Sequence, residues 1–390
     1  GGTDMAYGID NLTNGKGTSA IVTVKDATVK STYRAIRQFL NGVEATNELN
    51  VEAGAVVVGA NKSIWMQDPS ANANTGKLVV KEGAHLQGDV YLYVCDGSTE
   101  WPVEVSIASA ALDGESTVVT GNVPAKYVVV EENGFWIVAP NVAKVATAEA
   151  LAAAVAEGGD IVLTGDITLA ETLEIAAGKE VSLNLNGKTI TAPEANGYVV
   201  YNEGGKLTIE GDGVVNGVVY TEGSQTIING GTFNPLNGGA YVLLNSKGTL
   251  TINQATINGG TDYPVYSYDA GNKLVINDAT INATFGCVNA YGLGGVVEIN
   301  GGTFQMTGVQ GKTSHIAYFS NVDATINGGT FTNLADYSSM RIWCTTDDNT
   351  IVTINGGTFN GSIDFQTPSA AANKGTLTIK GGEFNADTYT

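Results

Sequence analysis

Histidine and cysteine are scarce in this sequence, which limits the metal and redox chemistry it can support. Its 390 residues hold two histidines, His85 and His315, and three cysteines, Cys95, Cys287 and Cys344. Two histidines come close to excluding a multi-histidine metal site, and there is no CxxC motif or Cys/His cluster for zinc or iron. An odd, low cysteine count also argues against a disulfide framework. We therefore expect three free and mostly buried thiols.

Basic residues are also few, with 19 Lys and Arg against 39 Asp and Glu and a formal net charge of −20. A nucleic-acid-binding protein needs a basic surface, and so does a protein that binds an anionic membrane. We therefore expect neither partner. The carboxylates are scattered along the chain, which is typical of a solvated surface. Calcium capture by these carboxylates is the alternative, and no other cofactor is indicated.

No apolar run approaches the ~20 residues of a membrane-spanning helix, so we expect no membrane insertion. The chain opens with GGTDMAYG, which is typical of a trimmed end and contains no signal peptide. A removed export signal is compatible with this start. Proline is scarce, at 8 residues, whereas glycine is abundant, at 51, without a Gly-X-Y period. Val, Ile and Thr are plentiful, and this composition favours strands.

The hexapeptide INGGTF occurs at 228–233, 299–304, 326–331 and 354–359, and INQATI, INDATI and IKGGEF are close relatives of it. The first Ile of successive copies recurs at intervals of 24, 24, 23, 27, 28 and 25 residues. A period in this range indicates a solenoid. Each unit contains two or three short strands, and neither a leucine-rich nor a 3.6-residue helical pattern is present. The sequence therefore predicts a parallel β-helix.

Two columns of apolar side chains should stack inside this β-helix. The first column holds the opening Ile of each hexapeptide, and the second holds the closing Phe or Ile. The Asn after each opening Ile should lie at a corner between strands, where Asn and Gly tolerate a left-handed backbone. At the ~4.8 Å strand spacing, stacked Asn side chains can hydrogen-bond to the coils above and below. These residues are Asn229, Asn253, Asn277, Asn300, Asn327 and Asn355.

A helix at 147–157, TAEALAAAVAE, should cover the start of this solenoid. Thr147 is its expected N-cap, and a Gly pair after residue 157 ends it. Leu151 and Val155 lie on its short apolar face. A solenoid end exposes strand edges and core, so it needs such a lid. We therefore assign 146–390 to one β-helix with an N-terminal capping helix.

The preceding residues repeat the pattern more faintly, and we predict further β-helix-like rungs in 1–120. One apolar residue in each strand–corner–strand group recurs at intervals of 27, 29 and 25 residues: Val22, Leu49, Leu78 and Val103. The connecting segment, 121–145, contains YVVVEENGFWIV. Its alternating strands flank Glu-Asn-Gly, which is a hairpin signal. Phe135 and Trp136 of this hairpin should cover a core edge.

The capping helix, the NLNGKTI rung at 184–190 and the INGGTF corners together resemble the single-stranded right-handed parallel β-helix superfamily typified by pectate lyases. The opening ATAEALAAAVAEGGDIVLTGDITL is also similar to repeats of large secreted or surface-attached bacterial proteins. The resemblance covers 146–390 and implies an all-β, right-handed fold. Members of that superfamily include polysaccharide lyases, glycoside hydrolases, adhesins and phage tail fibres, so the resemblance does not choose a function.

Few residues suggest catalysis. Asp347 and Asp348 are the only adjacent carboxylates of the second solenoid, and the pectin hydrolases of this superfamily resemble the chain in having an Asp-Asp pair. Their His motif is absent here, and the pair lies in a Thr/Asn-rich segment where Asp suits a turn. His315 and Arg341 are the best candidates for the base and cation of a lyase. Structural roles are favoured for all four residues.

An aromatic column is the best candidate for a binding surface. Counting back six positions from second-strand residues aligns Tyr201, Tyr220, Tyr268, Tyr291 and Tyr318, and Trp343 is expected to join them. An exposed aromatic ladder would suit a glycan, because sugar rings stack on flat apolar faces, yet aromatic stacks also fill β-helix interiors. Alternation along the strands favours interior packing without deciding the matter.

These observations predict an exported or cell-surface, non-enzymatic β-helix protein for binding or adhesion, with a polysaccharide or surface glycan as its partner. The first alternative is a polysaccharide lyase or glycoside hydrolase acting through His315, Arg341, Asp347 and Asp348. The second alternative is a structural stalk without a ligand. The sequence names neither the ligand nor the oligomeric state.

Overall fold

The computed structural model describes residues 7–69, 73–94, 98, 100–194, 197–307, 315–333, 339–344, 349–367 and 374–385. The chain divides into two compact units, 1–141 and 142–390. Within each unit, stacked parallel strands form right-handed β-solenoid coils, about 14 turns in total, so the predicted fold class is confirmed.

Three parallel sheets run along the second unit, and most coils contribute one strand to each sheet. Strands of the first sheet are Leu173–Ile175, Tyr198–Glu203, Val218–Glu222, Leu243–Ser246, Val265–Tyr268, Met340–Trp343 and Ile363–Gln366. Strands of the second sheet are Val142–Val145, Gly159–Leu163, Glu180–Asn184, Lys206–Glu210, Gln225–Ile228, Thr249–Ile252, Lys273–Ile276, Asn349–Ile354 and Lys374–Ile379. Two long strands serve the first sheet and then the second, Val288–Ile299 and Ala317–Ile326.

The third sheet follows the hexapeptide corner in each coil. Its strands are Ile167–Thr168, Lys188–Thr191, Gly213–Asn216, Thr232–Asn234, Thr256–Asn258, Thr280–Ala283, Thr303–Met306, Thr330–Thr332, Thr358–Asn360 and Glu383–Asn385. A short 3-10 turn, Leu236–Gly238, lies in the loop that returns to the first sheet. Each full coil therefore contains three short strands with a corner between the second and the third, in agreement with the two or three short strands per unit that the sequence predicts.

Both predicted apolar columns lie inside the second unit. The opening isoleucines from Ile228 to Ile354 pair in register on the second sheet and are fully buried. On the third sheet, the rings of Phe304, Phe331 and Phe359 stack almost in parallel, with centroids 4.6 and 4.9 Å apart. In the last described coil, Ile379 is 51% exposed, because no described coil covers it.

A ladder of asparagine side chains runs along the corner between the second and third sheets. Each Asn after Asn229 donates its side-chain N–H to the Oδ1 of the Asn in the preceding coil, at 2.6 to 2.8 Å. The predicted hydrogen bonding between coils is therefore confirmed. The expected left-handed backbone is not at the Asn: it is at the second glycine of the hexapeptide, such as Gly329, with φ +104°.

The predicted capping helix spans Ala148–Glu157 and covers the start of the second unit. The Oγ1 of Thr147 accepts a hydrogen bond from the backbone N–H of Ala150 at 3.3 Å, so Thr147 is the N-cap. Leu151 and Val155 are buried in the core of the unit. The helix therefore shields the interior of the first coil as the sequence predicts.

The first unit repeats the three-sided plan. Its first sheet contains Tyr7–Thr13, Arg34–Leu40, the second half of Val56–Asp68, the second half of His85–Val94, and Val118–Thr120. Its second sheet contains Ser19–Val24, Thr46–Val51, Thr75–Val80 and Val103–Ala108. The third side is formed by Thr28–Ser31 and the first halves of the two long strands, with a 3-10 turn at Ser109–Ala111 following.

One predicted column in this unit needs a correction of register. Val22, Leu49 and Leu78 align as predicted, but Leu78 pairs with Val105 and not with Val103. Val103 lies opposite Gly76, two residues earlier on the same buried side. A shift of two residues preserves the side of a strand, so the interior stays apolar.

The predicted hairpin pairs Tyr127–Glu132 with Phe135–Pro140. Its second strand then pairs antiparallel with Val103–Ala108, at the edge of the second sheet. Phe135 and Trp136 pack against the core of the first unit, as predicted. The hairpin therefore covers an edge that would otherwise expose unpaired backbone groups.

Two of the three cysteines can be placed. Cys287 and Cys344 are free and fully buried, as predicted. Burial raises the pKa of the Cys287 thiol far above its usual range, so this thiol is unreactive in the folded state. Cys95 lies outside the described residues.

Candidate functional site

The outer side of the first sheet of the second unit carries most of the predicted aromatic residues. Val200 and Asn202 are buried, so Tyr201 between them points outward. The same alternation turns Tyr220, Tyr268 and Tyr318 outward, and Tyr291 is 38% exposed. The column therefore faces solvent, contrary to the interior packing that alternation favoured.

The predicted column is in fact two neighbouring columns on the same side of the sheet. Tyr201 pairs with Tyr220, and that column continues through Leu244, Tyr266 and Asn289 to Tyr318. Tyr268 pairs instead with Ser246, and both Tyr291 and Trp343 pair with Ser320, two residues further along the strands. A shift of two residues keeps both columns on the outer side.

Seven tyrosines form one connected surface, which we call the tyrosine face. Most ring pairs are edge-to-face or tilted, with centroids 4.9 Å apart for Tyr201 and Tyr220 and 5.7 Å apart for Tyr266 and Tyr291, and Tyr268 is stacked on Tyr291 at 6.2 Å. Such geometries are favourable for aromatic pairs. The members are Tyr198, Tyr201, Tyr220, Tyr241, Tyr266, Tyr268 and Tyr291.

Three members of the tyrosine face were missed by counting along the sequence: Tyr198, Tyr241 and Tyr266. Tyr266 lies two residues before Tyr268, so strand alternation alone places both on one side. Tyr241 lies in the loop before its strand, and its ring contacts Tyr266 at 5.0 Å. Only the fold brings that loop onto the sheet.

Hydroxyl groups link the rings into a polar network. The hydroxyls of Tyr220 and Tyr268 are 2.9 Å apart, and the hydroxyl of Tyr201 donates to the Glu222 carboxylate. The hydrogen bond to Glu222, followed by burial, raises the pKa of Tyr201, and burial raises the pKa of Tyr266 and Tyr268. These phenols are therefore neutral at pH 7 and act as hydroxyl donors and acceptors.

Carboxylates border the tyrosine face. Glu174 pairs with Tyr201 and so lies in its column, and Glu222 lies two residues after Tyr220 on the same strand. Asp269 follows Tyr268 and accepts a hydrogen bond from the Ser246 hydroxyl. Asp262 lies within 3.4 Å of the Tyr241 hydroxyl. The surface thus combines flat apolar rings with carboxylate acceptors, and its charge is negative.

An open cleft of ≈ 910 Å³ ends the tyrosine face beside the capping helix. Ala152 and Ala156 of the helix form one wall, and Tyr198, Tyr201 and Tyr220 line the other side. Ligand pockets usually measure about 300–1,000 Å³. The cleft is therefore large enough for part of an extended ligand that lies along the tyrosine face.

A second group surrounds Arg341 on the same sheet. The Arg341 guanidinium donates to the Asp364 carboxylate at 2.6 and 3.0 Å, and its Cζ lies 5.8 Å from the Trp343 ring centroid. Tyr318 pairs with Arg341 in register. Because Asp364 already binds the guanidinium, Arg341 is not a free cation for a substrate carboxylate.

The fold places the predicted His315 close enough to Arg341 and Asp364 for their charges to affect its pKa. His315 is 5% exposed, and burial together with the positive charge of Arg341 lowers its pKa to about 4. It is therefore a neutral imidazole at pH 7. A buried imidazole needs an opening movement before it can take a proton from a polymer. The predicted Asp347 and Asp348 lie outside the described residues.

Within the described residues, no cluster of three or more His, Cys, Asp or Glu side chains is arranged to hold a metal ion. That same part of the chain contains no helix that is both long and apolar enough to cross a membrane. Comparison of the chain with protein-family profiles, with curated proteins and with solved structures finds no match.

Proposed function

We propose that this protein is an exported or cell-surface, non-enzymatic β-helix protein that binds a polysaccharide or surface glycan on the tyrosine face. The observation that carries this proposal is a set of seven tyrosines on the outer side of the first sheet, in two groups of touching rings that the hydroxyls of Tyr220 and Tyr268 connect. Exposed, contiguous aromatic surface on a soluble fold is a common mark of an interaction site.

The chemistry of the tyrosine face suits a polyhydroxylated ligand. Tyrosine rings offer apolar surfaces for the C–H faces of sugar rings, and neutral phenols donate and accept hydrogen bonds. The bordering carboxylates of Glu174, Glu222 and Asp269 can accept hydrogen bonds from sugar hydroxyls. Their charge also repels uronate or sulfate groups, so a neutral glycan is the favoured ligand for this face.

A relationship with the pectate-lyase-like β-helix superfamily is part of the proposal. It is supported by the helix over Ala148–Glu157, the three parallel sheets and the asparagine ladder. Adhesins of that superfamily bind without catalysis, and the proposed function places this chain with them. Export to the cell surface belongs to the same proposal.

The test is a glycan array probed with the full chain, with and without calcium, beside assays for reducing sugar and for unsaturated products. We expect binding without product. The double variant Tyr268→Ala/Tyr291→Ala should weaken binding at least tenfold. Val275→Ala is the matched control, because Val275 points outward on the second sheet. Equal binding by the double variant and the control would reject the tyrosine face as the site.

The lyase or hydrolase is kept as the second candidate because His315, Arg341 and Asp364 lie together near Tyr318. Product release that is lost in Arg341→Gln and retained in Tyr291→Ala would replace the binding proposal with this one. Absence of both binding and product across the array would favour the structural stalk.

A further inference from the structure

The outer side of the first sheet in the first unit has a charge balance opposite to that of the whole chain. Its outward charged residues are the cations Arg34, Arg37 and Lys62 and the carboxylates Asp10 and Asp89. Cations therefore outnumber carboxylates here, although the chain as a whole has a net charge of −20. A local excess of positive charge on an acidic protein favours association with an anionic partner at that surface.

Two of the three cations are already neutralised. Arg37 binds Asp10 with two hydrogen bonds of 2.8 and 2.6 Å, which raises the pKa of Arg37 further. Lys62 binds Asp89 at 3.0 Å. Arg34 has no carboxylate partner among the described residues, so no ion pair neutralises its positive charge.

Arg34 is held in place by aromatic rings. Its Cζ lies 3.3 Å from the ring centroid of Trp65 and 4.7 Å from that of Tyr33. Its two terminal nitrogens lie 3.4 Å from the hydroxyls of Tyr7 and Tyr33, which is long for a hydrogen bond. Stacking on Trp65 fixes the guanidinium plane and leaves its N–H edge weakly satisfied.

Flat aromatic surface continues on both sides of Arg34. The ring of Tyr7 lies 6.3 Å from Trp65 on one side, and the ring of Tyr91 lies 6.4 Å from it on the other. We call Tyr7, Tyr33, Arg34, Trp65 and Tyr91 the arginine–aromatic patch. It joins a fixed cationic fork, two phenol hydroxyls and aromatic rings on the outer side of the sheet, with Tyr33 in the bend just before the strand of Arg34.

We propose that the arginine–aromatic patch is a second binding site, which takes the carboxylate of an acidic sugar on Arg34. A carboxylate presents two coplanar oxygens that match the guanidinium fork, and such paired bonds are short and strong. The Tyr7 and Tyr33 hydroxyls can donate to the same oxygens, and the neighbouring rings can contact the sugar ring. This site is independent of the tyrosine face. It favours an anionic sugar, whereas the tyrosine face favours a neutral glycan.

The test is a titration of the full chain with a hyaluronan tetrasaccharide, followed by tryptophan fluorescence because Trp65 lies under the guanidinium. We expect saturable binding that falls at least tenfold in Arg34→Gln and partly in Arg34→Lys, which keeps the charge without the fork. Lys30→Gln removes an exposed charge on the third side of the same unit and should change binding less than twofold. Val275→Ala, on the second sheet of the second unit, should leave binding unchanged.

Four results would overturn the proposal. The first is equal binding of the carboxyl methyl ester of the tetrasaccharide, since the ester lacks the charge. The second is equal loss in Arg34→Gln and Lys30→Gln, which would indicate general attraction only. The third is acetate binding as tight as that of the tetrasaccharide, which would reduce the site to a simple anion contact. Thermal unfolding of Arg34→Lys and Arg34→Gln shows whether each variant is folded, and a folded Arg34→Lys with unchanged affinity would also reject the fork.

Discussion

Replacing Phe331 by alanine should open the interior of the third sheet. Phe331 is fully buried, and its ring lies between Phe304 at 4.6 Å and Phe359 at 4.9 Å. Truncation of a buried Phe to Ala costs about 3–5 kcal/mol, and an aromatic pair contributes about 0.5–1.5 kcal/mol beyond its buried area. Because Phe331 takes part in two such pairs, we expect a loss near 5 kcal/mol.

Two milder variants separate the ring pairs from the burial. Phe331→Leu keeps most of the apolar volume and removes both pairs, so it should cost about 1–3 kcal/mol. Ile257→Leu is the matched control, since Ile257 lies in the same buried column and has no ring pair. A volume-conserving change of this kind costs less than about 1.5 kcal/mol.

Hydrogen exchange measured by mass spectrometry is the appropriate assay, combined with urea unfolding. Coils of a solenoid contact only their neighbours, so the effect should be local. Exchange should rise in Thr303–Met306, Thr330–Thr332 and Thr358–Asn360, while Lys188–Thr191 keeps its protection. A uniform rise along the unit, or a loss below about 1 kcal/mol for Phe331→Ala, would refute the reasoning.

Three further predictions follow from single side chains. Asn300→Ala removes one donated and one accepted hydrogen bond of 2.7 Å each from the ladder, and urea unfolding should show a loss of about 1–2 kcal/mol. The pKa of His315 is 6.5 in the unfolded chain and about 4 in the folded protein. Because the folded state holds the neutral imidazole, roughly 3 kcal/mol of stability that is present above pH 6.5 should be lost as the pH falls to 4. Unfolding curves of His315→Asn should lack that part of the pH dependence. Cys287 and Cys344 should resist thiol reagents in the folded protein and react in urea, as peptide mapping would show; labelling of either in native buffer would contradict their burial.

The interior of the second unit could be predicted from the sequence because the repeat period itself sets the columns. Ile228 and Ile252 occupy equal positions in successive hexapeptides, and equal positions stack in a solenoid. The capping helix could be predicted equally well, since Thr147 and the Gly pair mark its two ends.

The candidate site was harder to predict because it depends on a corner of variable length. Six residues separate Tyr220 from Thr226 on the second sheet, but eight separate Tyr266 from Leu274. A fixed count therefore selects Tyr268 in place of Tyr266. The direction of the column was also ambiguous, because buried Asn202 makes the inner side look polar in sequence. Asn202 is accommodated inside by hydrogen bonds to Gln225 and Thr226, which only the structure reveals.

The asparagine ladder also determines how the length of the molecule can change. Asn253 and Asn277 hold the same corner position in adjacent coils, so residues 253–276 make up one whole coil. Removing that segment would join two equivalent positions and leave every later side chain on its own side of the solenoid. The molecule would become one strand spacing shorter and would lose Tyr266 and Tyr268 together. The outer surface can thus be lengthened or shortened by complete coils, while the apolar columns of the interior continue unchanged.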